Sequence, residues 1–174
     1  MKNKLLSGNE EFLLSLERNT HNKELLQELA NGQKPYALVV TCSDSRVVPE
    51  ILFNKFLGEL FVIRTAGNVI NEGELASIEY GICHLHIPLV IVLGHTHCGA
   101  IHAAIHKEKG SYLDPILKRI QKNIGDQTNE VVASKTNAIK ECEFIKSKFA
   151  SYEGDIFPML YNIEDGTVSI IENA

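Results

Sequence analysis

The run Tyr36-Ala37-Leu38-Val39-Val40-Thr41-Cys42, followed at once by Ser43-Asp44-Ser45-Arg46, decides how the rest of the chain is read. Its middle is apolar and β-branched and lacks the alternation of a half-exposed strand. It therefore reads as a strand buried on both faces, as in a parallel sheet. Two further runs match it: Leu60-Phe61-Val62-Ile63, closed by Thr65-Ala66-Gly67, and Pro88-Leu89-Val90-Ile91-Val92-Leu93, closed by Gly94. Helical patterns over roughly 45–57 and 72–86 lie between the runs. Strands alternating with helices predict an open, mostly parallel α/β sheet flanked by helices, with right-handed crossovers.

Toward the C-terminus the spacing predicts helices near 97–107, 114–124 and 129–149, then apolar runs at 157–163 and 167–171. Asp165-Gly166 between the last two is a hairpin signal, so an antiparallel strand should close one edge of the sheet. Lys107 to Tyr112, with Gly110 and Ser111, reads as an exposed loop. Toward the N-terminus, Phe12, Leu13, Leu16, Leu25, Leu26 and Leu29 recur at helical spacing. Glu17 to Lys23 is wholly polar, which divides this arm into two helical pieces or leaves one helix packing only at its ends. Asn31, Gly32 and Pro35 end it. The expected organisation is a single domain over 1–174, with 1–32 as a helical arm suited to lie on a partner subunit.

The 174 residues, 44% hydrophobic and 22% charged, suit one ordinary globular domain. With 17 basic against 22 acidic residues, no basic excess exists to neutralise phosphates, so neither nucleic acid nor an anionic membrane is an expected partner. The opening Met1-Lys2-Asn3-Lys4 passes through Leu5 and Leu6 into polar Ser7-Gly8-Asn9-Glu10, which is no signal-peptide core. The longest apolar run, Ile87 to Leu93, is far below the ~18 residues of a membrane span. A cytoplasmic protein is expected, and four cysteines in a reducing compartment raise the question of which hold a metal.

Two of the three buried runs lead directly into residues suited to a soft metal: Cys42-Ser43-Asp44-Ser45-Arg46 and His95-Thr96-His97-Cys98-Gly99. In an open α/β sheet, ligands bind outside the carboxyl ends of the strands, where both segments would sit. Cys42, His95 and Cys98 make a Cys₂His set, the pattern of a catalytic zinc whose fourth position is left to water or to Asp44. Two thiolates neutralise the dication, so acidifying its water needs neighbouring help. Arg46 beside Asp44 suits that task, because a guanidinium keeps a carboxylate ionised and oriented. Taken singly, a cysteine at a strand end also reads as a small buried hydrophobe, and the residues alone leave that reading open. A cysteine nucleophile with an oxyanion-binding arginine fits less well, since the loop between Cys42 and Arg46 is short and contains no glycine. His102 and His106, one turn apart, read as surface residues, and Ser43 and Ser45 as caps of the following helix.

Taken together, Cys42-Ser43-Asp44-Ser45-Arg46, Arg64-Thr65-Ala66-Gly67-Asn68 and His95-Thr96-His97-Cys98-Gly99 resemble the β-class carbonic anhydrases in motif order and spacing. The resemblance covers roughly 33–104, and the short chain is similar to the compact microbial members. It implies one zinc per subunit on Cys42, His95 and Cys98, with Asp44 and Arg46 as a catalytic dyad that orients a zinc-bound hydroxide. In a closed form Asp44 would take the fourth zinc position. It also implies plant-type substrate-binding residues: Gln33 as a hydrogen-bond donor, Phe61, Ala66 and Tyr80 as an apolar lining, and the backbone at Gly67 steadying the product. His97 departs from the family's pattern: a proton shuttle, an alternative ligand and a solvated side chain are its readings, the last preferred.

The implied activity is the reversible hydration of carbon dioxide to bicarbonate and a proton by a carbonate dehydratase, in a homodimer or homotetramer. Carbonyl sulfide or carbon disulfide hydrolysis on the same scaffold, and a non-catalytic zinc- or bicarbonate-binding module, are the alternatives. The polar dyad argues against the module, because a structural site needs none.

Overall fold

The computed structural model describes residues 2–17 and 20–172, and its larger unit, Pro35–Ala174, is built on a five-stranded sheet. In chain order its elements are β1 (Ala37–Cys42), α3 (Pro49–Leu52), β2 (Leu60–Thr65), α4 (Glu72–Glu79), β3 (Leu89–His95), α5 (Gly99–Ile105), α6 (Asp114–Ile124), α7 (Glu130–Lys148), β4 (Asp155–Tyr161) and β5 (Val168–Ile170). The smaller unit, Met1–Lys34, holds α1 (Lys2–Glu17) and α2 (Thr20–Leu29), so the arm is two helices.

The strand order is β2-β1-β3-β4-β5; the first four run parallel, and β5 pairs antiparallel to β4 across the Asp165-Gly166 turn. All six residues of β1 are buried, which explains the unbroken apolar run that announced it. Alternation sends Leu38 and Val40 to one face and Val39 to the other. Leu38 and Val40 join Val90, Val92, Ile78, Ala138, Cys142 and Ile145, while Val39 joins Ile91, Leu93, Val47 and Tyr161. Each Val, Leu or Ile among them contributes about 1.5–3 kcal/mol by leaving water. Helix α7 lies against β3 at Gly94, where an added Cβ would stand 3.1 Å from the Ser134 carbonyl oxygen. A third core, with Val69, Ile101, Leu117, Ile120 and Ala133, also contains Cys42 and Cys98.

Three expected helices are shorter than the spacing suggests. The span 45–57 holds only α3, because Pro49 can sit only in a first helical turn and Val48 before it is extended. Asn54, at φ 50°, prevents continuation, and neither Ser43 nor Ser45 caps this helix, whose N-cap is Val48. The span 72–86 stays α-helical to Glu79 and then widens into a π turn, Tyr80–His84, closed by Leu85 N–H donating to the Tyr80 carbonyl at 3.1 Å. The span 97–107 begins helically only at Gly99, because His97 is left-handed at φ 55° and Cys98 is extended. A Cβ at Gly99 would meet open space, so close packing is not the reason for that glycine. Among the described residues, no helix is long and apolar enough to cross a membrane.

Candidate metal centre

The chain passes from β1 to β2 on one side and then to β3 on the other side of β1. The C-terminal ends of β1 and β3 therefore flank the crevice where strand order reverses, the place an open α/β sheet offers a ligand. The register pairs Thr41 with Leu93, and the Thr41 hydroxyl donates to the Leu93 carbonyl at 2.9 Å. Cys42 and His95, at the ends of these strands, are thereby brought together, and Cys98 returns at the start of α5.

The ligand atoms of Cys42, His95 and Cys98 lie within 4.8 Å of one another, and all three residues are buried. The two Sγ atoms are 4.0 Å apart, close to the about 3.8 Å that two sulfurs keep on a tetrahedral zinc. His95 Nδ1 lies 2.8 Å from the Thr96 carbonyl oxygen, which only an Nδ1–H can satisfy. Nε2 is thus the acceptor, and it is buried with no hydrogen-bond partner. An orphaned imidazole nitrogen costs about 1–3 kcal/mol unless something takes its lone pair. The sulfur pair itself favours a single thiolate. Cys42 is drawn below the usual thiol range first by the Cys98 S–H and then, against burial, by the Asp44 and Gly67 backbone N–H groups. The same contact, with burial, pushes Cys98 up. A divalent cation resolves that conflict by taking both sulfurs as thiolates. The residues fit zinc.

Beside the cluster, Arg46 grips Asp44 with a two-pronged fork. Its Nε donates to Oδ1 at 2.9 Å, its Nη2 to Oδ2 at 2.7 Å, and its backbone N–H to Oδ1 at 2.9 Å. These bonds, led by the guanidinium, hold the Asp44 carboxyl well below the usual carboxylate range despite partial desolvation. Arg46 Nη2 also donates to the His97 carbonyl at 3.1 Å, which ties the first loop to the second. The carboxylate of Asp44 stands with Arg46 and does not join the three-ligand group.

Arg64 holds the loop from outside. Its Nη2 donates to the Asp44 carbonyl at 2.7 Å and its Nε to the Cys42 carbonyl at 3.3 Å. Gly67 adopts φ +64°, and a Cβ there would press on Ile120 Cδ1 at 2.8 Å. Its N–H donates to Cys42 Sγ at 3.3 Å. That donor therefore serves the sulfur. Ala66 opens the same 3-10 turn.

The apolar lining is only half assembled within one chain. Phe61 and Tyr80 do meet, with ring centroids 6.2 Å apart. Phe61, however, pairs with Leu38, four residues below Cys42 on β1, about 13 Å at the usual strand rise. It packs against the core of Leu38 and Val40, and Tyr80 stacks on His84, so the chain does not bring this pair to its own cluster. The place of Phe61 near the start of its strand, away from the carboxyl end, could have told this from the sequence. Gln33 belongs to the Met1–Lys34 unit, in the segment after α2. His97 is exposed, as expected, with Nε2 3.2 Å from Glu164 Oε1. His102 and His106 stack at 4.1 Å on the surface, and His102 Nδ1 meets Glu130 Oε1 at 2.7 Å.

A family model described as carbonic anhydrase matches residues 37–168. Carbonic anhydrase 2 of Mycobacterium tuberculosis is 41% identical over 128 residues, covering 69% of this chain; the chain spans only 61% of that relative's length. A Helicobacter pylori carbonic anhydrase is 33% identical over 178 residues, with 84% of this chain and 80% of the relative covered. Among solved structures, the β-carbonic anhydrase CcaA superimposes with a TM-score of 0.76 at 28% identity, over 96% of this chain and 95% of that one. The β-carbonic anhydrase CafA of Aspergillus fumigatus reaches 0.86 at 24% identity, over 99% and 91%, a likeness of fold. On a sheet whose strand ends gather two cysteine sulfurs, an imidazole and an arginine-held aspartate, and with the family model spanning most of the sequence, this chain belongs to the carbonic anhydrase family, in its β class.

Proposed function

We propose that the protein is a zinc-dependent carbonate dehydratase that interconverts carbon dioxide plus water with bicarbonate plus a proton. The observation that carries this is the buried Cys42–His95–Cys98 group, with its orphaned His95 Nε2, beside an Asp44 carboxylate kept ionised by Arg46. When bound there, zinc supplies the acidity that makes water a nucleophile at neutral pH. The Thr96 carbonyl keeps His95 in the tautomer that presents Nε2. Asp44 acts as an acceptor only: Arg46 occupies part of each oxygen, and the remaining lone pairs can orient the O–H of an attacking water. Arg46, anchored on the His97 carbonyl, stops the carboxylate from swinging. Gln33, from the N-terminal unit, is the donor in this reading for an oxygen of the developing bicarbonate.

The same reading places the protein in the cytoplasm, where a reducing poise keeps Cys42 and Cys98 free as thiols. It also makes the protein a homo-oligomer. Strand β2 is an edge of the sheet, and Phe56, Leu57 and Tyr80 are exposed. A likeness to the tetrameric β-carbonic anhydrases of Sordaria macrospora supports this. The deciding experiment is stopped-flow carbon dioxide hydration on the zinc-loaded protein with metal content measured in parallel. Turnover that requires zinc and falls with Asp44→Asn supports the reading, and stoichiometric zinc without hydration from pH 6 to 9 overturns it.

A further inference from the structure

Behind the metal cluster lies a polar chain that the proposed chemistry does not use. Glu141 on α7 is fully buried, and Arg119 on α6 grips both its oxygens, Nε to Oε1 at 2.8 Å and Nη2 to Oε2 at 3.0 Å. Asn123 Nδ2 donates to Glu141 Oε1 at 2.8 Å and to Asn137 Oδ1 at 2.9 Å. Asn137, also fully buried, donates through Nδ2 to the Gly67 carbonyl at 2.9 Å. Gly67 in turn donates its N–H to Cys42 Sγ.

The direction of every bond in this chain is set at its far end. A carboxylate only accepts, so Asn123 must present its amide N–H₂. Asn137 must then present its oxygen to Asn123, which leaves its own N–H₂ for Gly67. Glycine makes this control necessary, because the freedom that lets Gly67 reach φ +64° also lets it leave. A bond on its carbonyl and another on its N–H restrain the residue from both sides. Stability alone does not account for a fully buried carboxylate here, since ion pairs of this kind are commonly replaced by apolar side chains without loss.

We propose that Asn137, oriented by Asn123 and the buried Arg119–Glu141 pair, is a positioning residue that holds Gly67 with its N–H on the Cys42 sulfur. The inference rests on the metal reading above. An N–H donated to a ligating thiolate withdraws electron density from sulfur, and partners of this kind tune metal affinity by about 10–100-fold.

The test uses the full chain loaded with zinc or with cobalt(II), whose thiolate charge-transfer band reports on sulfur. Asn137→Leu keeps the volume and removes the donor. It is expected to weaken zinc binding, measured by chelator competition, about tenfold and to move the cobalt band to longer wavelength. The double replacement Arg119→Leu with Glu141→Leu removes the charge pair while filling its space. It is expected to retain the parent's melting temperature yet shift the band in the same direction, a signature that a purely structural role would not give. If Asn137→Leu does not fold, the double variant decides. An unmoved band together with zinc affinity within about twofold of the parent overturns the positioning role. A parent protein that shows no thiolate–cobalt band overturns the metal reading itself.

Discussion

Two arginine–carboxylate forks flank the cluster and differ in almost everything but chemistry. Asp44 and Arg46 are near neighbours in sequence and partly exposed, at 17% and 49% of their side-chain surface. Glu141 and Arg119 come from different helices, and Glu141 is 0% exposed. Charge-assisted, bidentate bonding gives both geometric precision. In the first, that precision is spent on a carboxylate with lone pairs left over beside the metal ligands. In the second, every bond is turned inward, toward the amides that end at Gly67. In the proposed function the same interaction serves reactivity in the more exposed fork and alignment in the one whose carboxylate is fully buried.

Removing the cluster between the forks has the largest expected effect. Cys42→Ser or His95→Ala should abolish stoichiometric zinc, read by elemental analysis, and bring hydration to the uncatalysed rate in stopped flow. Asp44→Asn sharpens the contrast between the forks. Zinc should stay at one per chain while kcat falls about 10²–10⁴-fold, because an acceptor-only group becomes an amide that can present N–H₂. For stability the ranking reverses. Glu141→Ala leaves Arg119 without its partner and should destabilise by about 3–5 kcal/mol in urea titrations, whereas Asp44→Ala should change stability by about 1 kcal/mol or less. The smallest effect concerns the cysteines outside the cluster. In the zinc-loaded native protein, alkylation followed by mass spectrometry should label exposed Cys83 and spare Cys142, which is buried with its thiol pushed up to about 12.

The two forks also differ in how readable they were. Asp44 and Arg46 stand in one pentapeptide at the end of an apolar run, and Cys42, His95 and Cys98 follow from the rule that ligands gather at strand ends. The parallel sheet and the edge hairpin follow from the same periodicities. Nothing comparable marks Asn137 and Glu141, because a polar residue on a helix normally faces water. Their one trace is that Arg119 and Asn123 on α6, and Asn137 and Glu141 on α7, share the same one-turn spacing. That match carries meaning only once the helices are known to pack together. Phe61 and Tyr80 teach the converse. Phe61 pairs four residues down the sheet from Cys42, and Tyr80 packs beside it.

By itself, then, the sequence determined the strands, the chemistry at their ends and the local dyad, because those depend on side-chain type, alternation and contacts within a few residues. The tertiary structure alone decided that Gly67 points its N–H at Cys42, that Asn137 holds its carbonyl, and that a fully buried Glu141 orients the amides between. Hydrogen bonds between elements have no period along the chain. They exist only where packing has brought two surfaces together and excluded the water that would otherwise satisfy each group alone.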